Sequence, residues 1–312
     1  MFEVETQKST YFDDLTVAQY GWDFTAAQLG PSEEVSTVRL CRTKHIGLSS
    51  FRYGAPYDQA LRARENTLSF GLLDSDNPTT WSYDQIIPND ALIIFPHDDC
   101  IRGMSPVGFR GNGIHFAKDY TRELAELVFR RPLHALVPAS GAFQLDRQKL
   151  NLLRAEIHKW QQLEACSADS RPKIDSRREE SLALAVIDAL FDEGNADKVD
   201  SASTQGFVTK ALEIIHDSEL DSISAAELCA ETQCSQRTLE KGFSNRFAVT
   251  PKKYINCLRL SRVHKGLLNF EAQGCDSIIE LAASQGFWHM GQFAADYRRI
   301  YGELPSDTLK RN

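Results

Sequence analysis

Long apolar runs are missing from this chain. No stretch approaches the ~20 apolar residues that a helix needs to span a bilayer, and the first residues, Met1 to Thr6, lack the basic segment and apolar run of a secretion signal. A cytoplasmic protein without membrane partners is expected. Excess positive charge is also missing: 35 Lys and Arg stand against 43 Asp and Glu, a formal net charge of −8. That argues against gripping nucleic acid through bulk charge, but an average hides charge segregation. Cysteine is scarce and odd in number, seven in irregular positions. Reduced, mostly buried thiols are therefore expected, not a disulfide framework. Neither a Gly-rich phosphate loop nor a nucleophile elbow occurs.

What is present is ordinary globular material, 42% hydrophobic over 312 residues, enough for about two domains with a core in each. The first ~130 residues read as β-rich. Short apolar or β-branched runs at Val35 to Leu40, Leu68 to Leu73, Ala91 to Phe95 and Gly113 to Phe116 alternate with turn signals such as Gly30-Pro31 and Asp76-Asn77-Pro78. A sandwich, jelly roll or barrel follows from many short strands at this spacing. Helical periodicity takes over at Tyr120 to Phe129. It is clearest in Leu145, Leu152, Leu153, Ile157, Trp160 and Leu163, one apolar stripe, and returns through Leu182, Leu184, Ala185, Ile187 and Leu190. These two amphipathic helices could pack on the β domain or form a dimer seam. The small, polar stretch Glu193 to Ser203 reads as a linker, and from Gln205 onward almost everything reads as helix.

The last hundred residues contain a repeat. Ser235 to Pro251 can be laid over His289 to Pro305 at a constant offset of 54, matching Leu239 with Phe293, Phe243 with Tyr297, Phe247 with Tyr301 and Pro251 with Pro305. Matches four apart lie on one helix face, so each copy ends in an amphipathic helix, a turn and a proline. A shorter helix precedes each. Ser224 is placed to cap the first, which would bury Leu228 and Cys229. Ser277 to Ser284 forms the second, burying Ile278, Leu281 and Ala282. Short helix, tight turn, longer helix is the helix-turn-helix arrangement, here twice. From Ser235 to Lys265 the basic residues Arg237, Lys241, Arg246, Lys252, Lys253, Arg259, Arg262 and Lys265 face a single acid, Glu240, for a local net charge of +7. A patch of that sign neutralises phosphates and makes affinity salt-dependent.

These residues resemble the DNA-binding domain of the AraC/XylS family of transcription regulators over roughly Phe207 to Leu309. The pattern of Ala, Gly286-Phe287, Phe293, Tyr297-Arg298-Arg299 and Gly302-x-x-Pro305 carries the likeness most specifically. The resemblance implies an α+β chain. A cupin-like, effector-sensing β barrel would occupy residues 1–130, a helical dimerisation and linker region 131–203, and an all-α domain with two helix-turn-helix subdomains 204–312. In that last domain the units would span about 224–247 and 277–301, joined by a helix over about 251–269. The second helix of each unit would enter successive major-groove faces about 34 Å apart. By position in the motif, Gln236, Arg237, Glu240 and Lys241 would meet DNA from the first unit, and His289, Met290, Gln292 and Ala295 from the second. Arg237 and Lys241 suit guanine, Glu240 cytosine and Gln292 adenine. Lys252, Lys253, Arg298 and Arg299 suit phosphate, the last two with local acids as alternative partners, and Trp288 is placed to brace the second turn. Two departures stand out. Ala248 replaces the glycine that usually follows the first recognition helix, and Gly291 and Ala295 replace frequent arginines of the second.

The expected partners are double-stranded DNA, a second copy of the chain, a small-molecule effector and, for an activator, RNA polymerase. Arg39, Arg42, Lys44, Arg52, Arg62 and Arg64 fall within 26 residues that hold one acid, Asp58. They are the candidate site for an anionic effector: a carboxylate, a phosphorylated metabolite or a cyclic dinucleotide. A solvated basic edge is the alternative. Cupin metal sites use a close His-x-His, which is absent, so neither metal nor cofactor is expected and the chain reads as a regulator, not an enzyme. The competing readings are a DNA-targeted enzyme with a metal-binding barrel and an architectural DNA binder without a ligand.

Overall fold

The computed structural model describes residues 2–10, 12, 15, 20–82, 85–164, 176–191, 206–217, 223–272 and 274–311. The expected linker Glu193 to Ser203 lies outside these residues, as does the side chain of Leu163. The strands are β1 (Glu3–Ser9), β2 (Trp22–Gln28), β3 (Ser36–Arg42), β4 (Ile46–Arg52), β5 (Tyr57–Ala63), β6 (Thr67–Leu73), β7 (Thr80–Ser82), β8 (Gln85–Ile87), β9 (Ala91–Phe95), β10 (Ile101–Ser105), β11 (Arg110–Ala117) and β12 (Gly141–Gln144). The helices are α1 (Lys118–Leu124), α2 (Arg147–Glu164), α3 (Ser176–Leu190), α4 (Gly206–Asp217), α5 (Ala225–Thr232), α6 (Gln236–Phe247), α7 (Pro251–Leu268), α8 (Ile278–Ser284), α9 (Met290–Tyr301) and α10 (Pro305–Lys310).

The β domain consists of two antiparallel sheets, one ordered β1-β3-β4-β11-β6-β9-β12 and the other β2-β5-β10-β7-β8. Alternation along the strands of the larger sheet feeds two separate cores. Val38, Leu40, Phe51, Leu73 and Phe95 point inward to meet Trp22, Tyr57 and Leu61 of the smaller sheet. Cys41, Ile46, Leu48, Phe70, Leu72, Ile94, Ile114 and Phe116 point outward. That outer face is covered by α1, α2 and α3, whose Leu153, Ile157, Trp160, Leu182, Val186 and Ile187 are all buried in the same core. The amphipathic stripes are thus used within the chain, against the sheet. Leu152, expected in the stripe, is instead 57% exposed.

The α-helical domain from Gly206 onward has one core shared by both helix-turn-helix units, and this core also takes in Leu29 and Met104 of the β domain. Helix α7 lies along β2. Cys257 Sγ donates to the Leu29 carbonyl at 3.4 Å, Ser261 Oγ to the Ala26 carbonyl at 3.4 Å and Lys265 Nζ to the same carbonyl at 2.9 Å. Gln28 Nε2 donates to the carbonyl of Ile300 at 3.0 Å. The layers therefore run from α2 and α3, through the two sheets, to α7.

One buried polar cluster crosses this boundary. Asp58 of β5 accepts a hydrogen bond from the Tyr254 hydroxyl of α7 and lies 3.4 Å from His216 Nε2 of α4. Burial pushes the Asp58 carboxyl up to about 7, against the pull of the Tyr254 hydrogen bond, Arg102 and Arg246. Burial also pushes His216 down to about 4, helped by Arg102 and Arg262. His216 is accordingly neutral at pH 7, and its contact with Asp58 is polar, not an ion pair.

Candidate nucleic-acid interface

Local capping chemistry fixes where each helix of the first unit begins. Ser224 and Glu227 form a capping box at α5: the Ser224 amide donates to Glu227 Oε2 at 2.7 Å and the Glu227 amide to Ser224 Oγ at 3.2 Å. These hydrogen bonds hold the Glu227 carboxyl below its usual range. Gln233 takes the left-handed conformation at φ 53° to make the turn. Ser235 Oγ then accepts from the Thr238 amide at 3.2 Å to start α6, and Thr250 caps α7, with Pro251 in its first turn. In the second unit Ser277 caps α8, while His289 stands before α9 without a side-chain cap bond.

The repeat expected from sequence is visible in the burial. Leu239 and Phe243 of α6, like Phe293 and Tyr297 of α9, are 3% exposed or less. It extends further than Pro251 and Pro305: each proline opens a helix, α7 and α10. Ala248 does not disturb its turn. It caps α6 in the left-handed region at φ 56°, as Gly302 caps α9 at φ 74°.

On α6, Gln236, Arg237 and Lys241 are exposed, and Gln236 Nε2 donates to Glu240 Oε1 at 2.9 Å. His289, just before α9, and Gln292 on it are exposed, but Met290 is partly buried against the domain core. Asp296, itself 8% exposed, collects the polar groups of α9. Its carboxylate accepts from Gln292 Nε2 at 3.0 Å and from Asn256 Nδ2 at 3.3 Å, and pairs with Arg299 at 2.7 Å. Arg298 is exposed. Trp288 does not brace the turn: its side chain is 78% exposed.

The basic run divides by helix face. Arg237 and Lys241 are on α6. Lys252, Lys253 and Arg259 line an open cleft of about 740 Å³ between the two units. Arg246 is 4% exposed, and with Arg262 and Lys265 it lines the cavities between the helical domain and the β domain. Five of the eight cations thus stand on the exposed face of α6 or in the cleft. A charge count along the sequence had no means of separating them from the other three.

The arginines of the β domain are not gathered. Arg39, Arg42 and Arg52 belong to the larger sheet, Arg62 to the end of β5 in the smaller, and Arg64 follows that strand. Arg42 pairs with Glu3, Arg52 with Glu34 at 2.6 Å, and Arg62 and Arg64 share Asp23 at 2.9 and 3.6 Å. Arg39 Nε donates to Thr6 Oγ1 at 3.3 Å, and Lys44 is exposed. Sequence reasoning missed an apolar cavity of about 70 Å³ between the sheets, lined by Trp22, Phe51, Tyr53, Leu61, Phe95 and Phe109. Among the described residues no helix is long and apolar enough to cross a membrane.

A family model described as a helix-turn-helix domain matches residues 228–311. The XylDLEGF operon transcriptional activator 2 of Pseudomonas putida is 36% identical over 115 residues, covering 35% of this chain and 73% of that protein. The chain belongs to the AraC/XylS family. Another AraC/XylS relative, the XylDLEGF operon transcriptional activator of Pseudomonas putida, is 32% identical over 138 residues, 44% of this chain. The match spans about 40% of that relative's length. Among solved structures, a probable AraC family transcriptional regulator from Rhodopseudomonas palustris is 31% identical, covering 34% of this chain and 97% of its own, at a TM-score of 0.32.

Proposed function

We propose that this AraC/XylS family member is a sequence-specific, DNA-binding transcription regulator, acting without catalysis of its own. The observation that carries the reading is the pair of helix-turn-helix units, each with its aromatic helix face buried and its polar helix face open to solvent. Gln236, Arg237, Glu240 and Lys241 would read bases from α6, and His289 and Gln292 from α9. Lys252, Lys253, Arg298 and Arg299 would hold phosphate. Met290, half turned into the core, is left at most an apolar edge to offer. The β domain would respond to an effector, two copies would bind together, and RNA polymerase would be met on the promoter if the protein activates.

The test is fluorescence anisotropy with a duplex selected by the wild-type protein from a random library, against a scrambled duplex. Arg237→Ala should weaken binding to the selected duplex by about 1–3 kcal/mol and relax one base position. Lys253→Ala should weaken both duplexes alike and flatten the salt slope. Equal affinity of wild type and both variants for both duplexes would sink the reading.

A further inference from the structure

The cleft between the two units is walled by the start of α5 on one side and the start of α9 on the other, with the first half of α7 as its floor. On that floor Lys252, Asn256 and Arg259 follow at four and three residues, which puts them on one stripe of the helix. Lys253 stands beside them, and both lysines are exposed. The acid in the cleft, Asp296, is closed off by Gln292, Asn256 and Arg299, so the accessible charge is positive. Trp288 completes the rim with the most exposed large apolar side chain among the described residues, at 78%. An indole left this open on a cationic rim is suited to pack on an uncharged surface that carries negative charge close by.

Duplex DNA has such a surface in its backbone, where apolar deoxyribose faces alternate with phosphates. Two recognition helices set about 34 Å apart along one side of a duplex leave a minor groove and its two flanking backbones facing the middle of the domain. The cleft is in the middle, and His289 and Gln292, at the start of α9, line it. It therefore opens on the side where those residues would meet bases.

We infer that this cleft is a third DNA contact, seating the backbone between the two major-groove segments, with Trp288 against a deoxyribose and Lys252, Lys253 and Arg259 on its phosphates. The inference rests on the proposed DNA-binding function and adds a sequence-neutral clamp to it. Affinity would then come from the centre of the site and discrimination from its ends, chiefly α6.

Chemically modified DNA tests the clamp on the full chain. Neutral methylphosphonates replace the central phosphates of the selected duplex. In a second duplex the same number are placed beyond its ends. Central neutralisation should weaken wild-type binding about 10-fold and lower the salt slope by about 0.9 for each phosphate that the clamp no longer neutralises. Substitution outside the site should leave affinity unchanged. A Lys252→Gln, Arg259→Gln double variant should already bind weakly and respond little to the central substitution. Trp288→Ala should lose about 5-fold on selected and scrambled DNA alike, Trp288→Phe recovering most of it, with the thermal midpoint unchanged because the side chain is outside the core. An unaltered wild-type affinity after central neutralisation overturns the clamp, as does an equal loss in wild type and double variant. If wild type discriminates selected from scrambled DNA but does not respond to central neutralisation, the clamp alone has failed. If wild type selects no sequence at all, the proposed function has failed and the clamp with it.

Discussion

The two helix-turn-helix units share a plan and differ in how they satisfy the polar group buried in each. In the second unit the answer is internal. The Tyr297 hydroxyl lies 2.6 Å from His264 Nδ1 and 2.8 Å from Thr308 Oγ1, and Thr308 donates onward to Glu303 at 2.5 Å. In the first unit the Tyr254 hydroxyl reaches outside the helical domain, to Asp58 of the β domain and to His216, 3.2 Å away. Arg246, at the end of the first recognition helix, is buried on the same side. The tyrosine hydroxyl of the second unit is thus satisfied within the helical domain, whereas that of the first is satisfied by the domain that would sense an effector. The unit proposed to read bases more strongly thus shares a buried side-chain cluster with the β domain, while α9 meets that domain through the Gln28 amide on the Ile300 carbonyl.

Removing the outside partner should have the largest effect. Asp58→Ala is expected to cost about 2–3 kcal/mol, because it takes an acceptor from a buried hydroxyl and a counter-charge from two nearby arginines, while Thr308→Val in the second unit should cost about 1 kcal/mol. Denaturant titration of the full chain measures both, and equal losses would erase the difference between the units. On DNA, Arg237→Ala should cost more discrimination than Gln292→Ala, whose amide is already committed to Asp296; selection from a random library with each variant ranks them.

Acid should expose the next difference. His264 is pushed down to about 3 by burial, with help from Arg311 and Lys265, and His115 of β11 to about 3 by burial and Arg64. Groups with depressed folded values contribute stability that is present above their unfolded pKa, near 6.5, and is lost as pH falls through that value toward the folded one. His216 acts in the same direction. Asp58, with its raised value, opposes them: its contribution is lost as pH rises from about 4 to about 7. Three groups against one predict that the chain loses stability between pH 7 and 5. His264→Asn should flatten that slope by about 1.4 kcal/mol per pH unit. A slope unchanged in the variant would mean that His264 takes up its proton as readily in the folded chain as in the unfolded one.

The smallest prediction concerns the caps. Ala248 pays for a left-handed backbone that Gly302 adopts freely, so Ala248→Gly should stabilise by about 1 kcal/mol and Gly302→Ala should destabilise by a similar amount. Nothing lies near enough to Gly302 to meet an added methyl, so the thermal midpoint would read backbone strain alone.

Most of the helical domain was legible in the sequence because its code is local. Capping serines, aromatic residues four apart and a proline after each turn all act within a few residues, and the 54-residue offset repeats them. The β domain was legible at Ala91 to Phe95, where both strand faces are apolar. It was not at β5, whose Asp58 and Gln59 are buried. Their partners come from α4, α7 and β10, more than forty residues away. β1 was missed for the opposite reason: as an edge strand, it carries polar residues along its length. The +7 segment was legible as charge but not as a surface, since residues a few positions apart on α7 turn to the cleft between the units or to the β domain according to helix phase.

Asp296 has a consequence for how such a protein changes its target over time. Its one carboxylate holds Gln292, Asn256 and Arg299 together. A single substitution there would release two amides and a guanidinium at once, while Phe293 and Tyr297 keep the helix seated. Under the proposed DNA-binding role the second unit would therefore be the more readily retrained, and new operators could be acquired through α9 while the contacts of α6 stay as they are.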